Sequence, residues 1–161
     1  MANFTGANVI AASDVTAYQT DAFDFGIASN DSKVSHYITQ TTNDIFRDLR
    51  IKWWPMYKSN IYTDITVLNT AEMVNTKVDL DQFKRAGVYL FLSRYFLPSL
   101  TKFRPEADKD RFERMIEFYS SAYIKEFQTI LEDGVSYDSD AGGSISASER
   151  EPLHGYRRLT R

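Results

Sequence analysis

An apolar stretch near the middle of the chain, residues 79–100, reads DLDQFKRAGVYLFLSRYFLPSL. Its apolar residues recur at helical spacing, and others fill the remaining faces: Phe83, Ala86, Leu90, Phe91 and Leu97, then Val88, Tyr89, Leu92, Tyr95 and Phe96. A helix that is apolar nearly all round is usually buried on every side. The stretch therefore predicts the central helix of a bundle, with Pro98 expected to end it.

An amphipathic helix is predicted before this stretch. Its apolar positions step by four, three, four and four residues and so share one face: Val34, Ile38, Thr41, Ile45 and Leu49. Asp31 or Ser32 is the expected N-cap. Pro55 is expected to stop the helix, because it lacks an amide donor and biases Trp54 away from helical angles.

A long last helix is predicted from about Glu106 to Asp133, with Gly134 as its C-terminal cap. Its stripe consists of Phe112, Ile116, Tyr119, Tyr123, Phe127 and Ile130. After Gly134 the composition changes to Ser, Gly and Asp, which cannot build a core of their own. An extended tail is therefore expected over residues 134–161.

Two segments are less defined. Ser13 and Asp14 could cap a short helix to about Ala22, and residues 60–68 suit either a β ribbon or an irregular arm. The expected fold is mainly α: a small helical bundle with a central apolar helix, a long C-terminal helix and an extended tail. Residues 1–30 form an N-terminal segment, short helix or extended, and residues 31–133 the helical body.

The composition fits one folded domain. The 161 residues are 43% hydrophobic and 14% aromatic, which is ample material for a single core. A net charge of −3, from 19 basic and 22 acidic residues, offers no bulk attraction to nucleic acid or to an anionic membrane. There is no cysteine, hence no thiol nucleophile or thiolate metal site. No basic N-terminal region or long apolar run indicates a signal peptide or a membrane span.

One run of residues matches a metal-binding motif. Residues 138–149 resemble a twelve-residue EF-hand calcium loop, with Asp138 and Asp140 at positions one and three, Ser144 at seven and Glu149 at twelve. Position five is Gly142 instead of a side-chain ligand, and no second loop exists to pair with this one. A solvated Asp/Ser/Gly linker that matches by composition is the favoured interpretation, and calcium binding the alternative.

Two clusters are candidates for contacts with a partner. Trp53 and Trp54 lie at a predicted helix end, where one should enter the core and the other could anchor an interface. The chain ends in a basic segment whose arginines and apolar residues suit docking into a groove: Tyr156, Arg157, Arg158, Leu159 and Arg161.

The layout of a helical body, a long last helix and a tail ending Arg157-Arg158-Leu159-Thr160-Arg161 resembles the head-to-tail connector, or adaptor, proteins of tailed bacteriophages. The resemblance spans roughly residues 31–161 and rests on architecture and tail chemistry. It implies a ring of copies of this chain, commonly a dodecamer, under the portal, with DNA passing through as cargo. It also implies that residues 145–161 dock on the portal, that residues 60–78 form an arm toward a neighbour or the tail, and that other neck or tail proteins are neighbours.

The expected function is accordingly structural. The chain shows no glycine-rich phosphate loop, nucleophile elbow or zinc-ligand spacing, so we expect neither an enzyme nor a cofactor. The resemblance implies a virion protein that is present in the host cytoplasm during assembly and has no membrane partner. The rival is a calcium-binding regulatory module that uses the loop at residues 138–149.

Overall fold

The computed structural model describes residue 4 and residues 8–25, 27–101 and 106–150. The α-helices are α1 (Ala12–Tyr18), α2 (Ser32–Lys52), α3 (Trp54–Ile61), α4 (Ile65–Thr70), α5 (Lys84–Phe91), α6 (Leu97–Thr101) and α7 (Glu106–Asp133). A π-turn spans Leu92–Phe96, and short 3₁₀ turns span Ala22–Phe25, Asn75–Lys77, Leu80–Phe83 and Ala147–Arg150. The described residues contain no strand beyond one isolated bridge, which confirms the predicted mainly α fold.

Helix α2 follows its sequence pattern closely. Asp31 caps it by accepting a hydrogen bond from the Lys33 amide at 2.8 Å. The predicted stripe is buried along its length: Val34, Ile38, Thr41, Ile45 and Leu49. The helix ends at Lys52, and Pro55 then lies in the first turn of α3, where a missing amide costs nothing. The proline thus stops one helix and starts another.

The central stretch is helical from Leu80 to Thr101 and deeply buried, as predicted. It is not uniform, because α5 continues into the π-turn before α6. The wider turn places Phe96 over Phe91, and their rings stack with centroids 5.5 Å apart. Pro98 lies inside α6 and does not end the helix, contrary to the sequence prediction. Because Pro98 has no amide to bond the carbonyl of Arg94, the preceding turn is where the regular pattern can widen.

Helix α7 packs along α5, the π-turn and α6. The described part of its predicted stripe is buried, apart from Ile116, which is half-buried. The helix ends at the predicted glycine: Gly134 has φ 99°, a left-handed angle that favours glycine, and its amide donates to the Ile130 carbonyl at 3.1 Å.

The segment after α7 folds back on the body. Residues 135–138 are buried, and Tyr137 forms an antiparallel bridge with Val78. The amides of Asp79 and Asp138 donate across this contact to the carbonyls of Ser136 (3.1 Å) and Lys77 (2.8 Å). The tail predicted as extended therefore begins with a backbone-bonded attachment to the body.

Residues 54–74, which we call the arm, carry α3 and α4. The segment at residues 60–68, predicted as a β ribbon or an irregular arm, is helical at both ends. Ile65 and Val67 are two residues apart and indicated alternation, whereas Ile61 and Ile65 are four apart, as in a helix. Asp64 caps α4 by accepting from the Thr66 amide at 2.8 Å.

The N-terminal helix is capped two residues before Ser13, the first of its predicted caps. Ala11 is the N-cap of α1, and Asp14, in the first turn, accepts a hydrogen bond from the Ala11 amide at 2.7 Å. The helix ends at Tyr18 instead of about Ala22, which starts a 3₁₀ turn. Within the described ranges, no helix is both long enough and apolar enough to cross a membrane.

Candidate functional site

The loop that resembles an EF-hand brings its acidic residues together. Carboxylate oxygens of Asp138, Asp140 and Glu149 all lie within 4.8 Å of one another. Asp138 and Glu149 are buried, whereas Asp140 is exposed. Three carboxylates at this separation could in principle surround a hard cation. The three acidic positions of the sequence motif are thus assembled by the fold.

The Glu149 carboxylate is occupied by hydrogen bonds from the loop itself. One oxygen accepts from the Ser139 amide (2.6 Å), the Ser139 hydroxyl (2.9 Å) and the Asp140 amide (3.3 Å). The other accepts from the Ser146 amide (2.9 Å) and hydroxyl (2.8 Å). These donors, the Ser146 amide foremost, lower the pKa of Glu149 to about 2. A residue that an EF-hand would use as a bidentate ligand here closes the loop.

The two aspartates are also used by the loop. Asp138 accepts from the amides of Gly142 (2.9 Å) and Gly143 (2.8 Å), and Asp140 accepts from Gly142 at 2.8 Å. Gly143 has a left-handed φ of 74° that favours glycine. Ser144, the fourth predicted ligand, is exposed and lines a depression together with Asp79 and Ser136, apart from the three carboxylates. The geometry is that of a folded loop stabilised by its own acidic residues.

Both tryptophans belong to the core. Trp53 is 1% exposed and Trp54 6% exposed, so neither can act as an exposed interface anchor. This corrects the expectation that one of them is left for a partner. Together with Tyr57 and Tyr137 they form an aromatic tetrad in which all six ring-centroid distances lie between 4.4 and 5.9 Å. Sequence reasoning missed Tyr137, whose long-range contact no local pattern reveals.

The tetrad fastens two peripheral segments to the body. The Trp54 indole donates to the Ala71 carbonyl at 3.2 Å, and the Tyr137 hydroxyl accepts from the Val74 amide at 3.3 Å. Both bonds hold the returning end of the arm. Burial raises the pKa of Tyr57 to about 12, so its hydroxyl stays protonated at neutral pH.

A buried carboxylate that carried no sequence signal couples α2 to the π-turn. Asp44 is 8% exposed and forms ion pairs with Arg94 (3.0 Å) and Arg47 (3.1 Å). It also accepts a hydrogen bond from Tyr95, whose pKa is raised to about 12 by burial and then by this bond. The four groups satisfy one another, which indicates a structural role.

Exposed large apolar side chains group at two places, the arm and α7, while Tyr18 and Ile51 are exposed singly elsewhere. The arm exposes Met56, Ile61, Ile65, Val67 and Val74, and none of the residues of α4 is buried. On α7, Phe118 is 67% and Ile124 58% exposed. The arm groups five such residues within 19 positions of the chain, and grouped exposed apolar side chains are typical of an interaction site.

The predicted docking residues at the chain's end lie outside the described residues: Tyr156, Arg157, Arg158, Leu159 and Arg161. The described residues before them end in the 3₁₀ turn Ala147–Arg150, which contains Glu149 of the closed loop.

The chain was compared with protein-family models, with curated proteins and with solved structures, and no match was found in any of the three.

Proposed function

We propose that the chain is a structural, non-enzymatic assembly subunit, and specifically a head-to-tail adaptor of a tailed bacteriophage. In this role copies form a ring, of dodecameric size in the family it resembles, between the portal and the tail. The basic segment at residues 156–161 docks on the portal, and DNA passes through the ring as cargo. The observation that carries the proposal is the arm, whose apolar surface nothing in the described chain covers.

The arm needs a covering surface. A helix of six residues is far below the roughly 12 to 15 residues at which isolated helices become even marginally stable. Helices in folded proteins are stabilised chiefly by burying an apolar face, and α4 buries none of its residues. Ile65, the first residue of α4, is 74% exposed. Contact with another subunit would bury it.

The ionisable groups of the body also favour a structural role. Asp44 is paired with two arginines, Glu149 is enclosed by loop donors, and Asp48 accepts from the Tyr123 hydroxyl at 2.7 Å. Burial and this bond raise the pKa of Tyr123, so its proton is held firmly. A catalytic site needs an ionisable group that is positioned but still available to a substrate. These groups are instead committed to partners within the subunit.

The proposal is tested by assembly. Native mass spectrometry and electron microscopy of the purified chain, alone and with the portal protein of the virus that encodes it, should show rings that bind the portal. A chain that stays monomeric at every concentration, with and without portal, would refute the proposal.

The docking segment is tested separately. Removing residues 151–161 leaves the closed loop intact, so thermal unfolding should be unchanged while portal binding is lost. Substituting Arg157, Arg158 and Arg161 together by Ala should weaken binding. The matched triple-Lys variant keeps the charge but loses the guanidinium fork. If it binds like wild type, charge alone suffices; if both triple variants bind like wild type, the segment is not the docking element.

Calcium binding is the second candidate, favoured by the convergence of the three loop carboxylates. Titration calorimetry decides it, because even weak extracellular-type calcium sites bind at about 10⁻³ M or tighter. Heat that saturates and disappears in Asp138→Asn would establish the site. No heat at millimolar calcium would leave the loop as a structural closure.

A further inference from the structure

We infer that the ring contact is heterologous: the arm of one subunit docks on the middle of α7 of the next, around Phe118. This inference rests on the proposed function and specifies its interface. The occupant of the arm's apolar surface is thus a second copy of this chain. Three observations lead to it.

The first observation is that the surface around Phe118 is apolar at its centre and basic around it. On a helix, positions four and seven residues away lie along the same stripe. For Phe118 these positions hold three exposed basic residues, Arg111, Arg114 and Lys125, and the half-buried Ala122. None of the three basic residues forms an ion pair with a residue whose side chain the structure describes, which on α7 means residues 111–133. Glu113 and Glu117 also lie on α7, but on the neighbouring stripe with Ile124.

The second observation is that the arm carries the opposite charge. Ile61, Ile65 and Val74 are exposed, and the carboxylates near them are Asp64 and Glu72. Both carboxylates are exposed, and neither is in an ion pair within the described part of the chain. Against these two carboxylates the arm has one basic residue, Lys58, and none from residue 61 to residue 74, so its net charge is negative. An acidic, apolar arm and a basic, apolar helix face are complementary surfaces.

The third observation is that the two surfaces are separate on the subunit. The arm begins where α2 ends, and Lys52 at that end lies over the Phe127 ring at 5.2 Å. Phe118 lies nine residues earlier on α7, which is about 14 Å along the helix axis at 1.5 Å per residue. One subunit can therefore offer both surfaces at once. Two different surfaces that bind each other give a head-to-tail contact, which closes into a ring or continues as a filament.

The absence of cysteine makes disulfide trapping a direct test. The variants Ile65→Cys and Phe118→Cys each introduce one thiol at an exposed position. Mixed in equal amounts and mildly oxidised, they should give a heterodimer far in excess of either homodimer. A single chain that carries both substitutions should give a ladder of covalent oligomers that ends at the ring size. The matched control is Ile65→Cys with Ile124→Cys, since Ile124 is similarly exposed on the neighbouring stripe of α7.

The outcomes separate this inference from the proposed function. If Ile65→Cys crosslinks to itself, the contact is isologous and the inference is wrong. If the Ile124 pair traps as well as the Phe118 pair, or neither pair traps while wild-type rings form, the interface lies elsewhere and the adaptor proposal still stands. If wild type forms no oligomer and binds no portal, the adaptor proposal itself fails.

A second measurement does not depend on disulfide geometry. Ile65→Asp and Phe118→Asp should each weaken ring formation by about tenfold or more, because each removes the burial of a large apolar side chain. Mixed together, the two variants retain one intact arm and one intact α7 face, and should form a one-to-one heterodimer and nothing larger. Circular dichroism on each variant checks that the subunit is folded. Folded variants that assemble like wild type would overturn the inference.

Discussion

Replacing each tryptophan by phenylalanine should have unequal effects, although the two residues are adjacent. Both indoles are buried, and both changes remove the same atoms. The loss of buried apolar area therefore largely cancels when the two variants are compared. What differs is the indole N–H. In Trp54 it donates to the Ala71 carbonyl at 3.2 Å, whereas the Trp53 Nε1 is buried and has no partner among the described residues.

The size of the difference follows from hydrogen-bond energetics. Trp54→Phe removes a bond with a net value of about 0.5–1.5 kcal/mol and leaves the Ala71 carbonyl without that donor. Trp53→Phe removes a buried donor that is already unpaired, and with it a desolvation cost of about 1–3 kcal/mol. The two effects add, so Trp54→Phe should be less stable than Trp53→Phe by about 1.5–4.5 kcal/mol. At about 2–4 °C per kcal/mol for a chain of this size, the difference in Tm is readily measured.

The assay is urea unfolding followed by circular dichroism at 222 nm, with thermal unfolding as a second readout. Hydrogen exchange should locate the effect, because only Trp54→Phe releases the returning end of the arm and speeds exchange there. The reasoning is refuted if Trp53→Phe is equally or more destabilising, or if exchange in the arm rises equally in both variants.

Three further predictions concern the loop, the end of α7 and the buried carboxylate. Glu149→Gln should open the loop and speed proteolysis at residues 139–150. The pKa of Glu149 is lowered from 4.5 to about 2 in the folded protein. Its contribution to the stability of the wild-type loop is therefore fully present above pH 4.5 and is lost as the pH falls toward 2. Amide NMR of the loop can follow this loss. Gly134→Ala places a side chain at φ 99° and should lower the free energy of unfolding by about 1 kcal/mol; an unchanged Tm would contradict this. Asp44→Asn should lower the free energy of unfolding by about 1–2 kcal/mol. The value is small because the two arginines that pair with Asp44 are half-exposed. Asp44→Ala should lower the free energy of unfolding further.

The helices that bury an apolar face could be predicted from the sequence because burial imposes a period. Val34 to Leu49 on α2 and the Phe112 to Ile130 stripe on α7 repeat at helical spacing, and both helices have the predicted extent. Gly134 was predictable for a local reason, since a helix end that turns left-handed favours glycine. Such features depend only on neighbours in the sequence.

The remaining features depend on contacts that sequence spacing does not encode. Helix α4 of the arm buries none of its residues, so it has no apolar period to recognise. Tyr137 reaches the tryptophans from far along the chain, and its packing explains why both indoles are buried. The spacing of the acidic loop predicted that its carboxylates converge. It did not predict that the serine and glycine amides of the same loop would satisfy them.

The π-turn at Leu92–Phe96 bears on which insertions and deletions the chain can accept. A π-turn amounts to one residue more than an α-helical turn holds, and each residue in an α-helix rotates the chain by about 100°. Deleting one residue within Leu92–Phe96 would leave a regular α-helix whose flanking parts still present their buried faces to α2 and α7. The same deletion within α5 would turn every later residue to a different face. A scan of single deletions should therefore find its tolerant positions at the π-turn, inside the most buried helix of the protein.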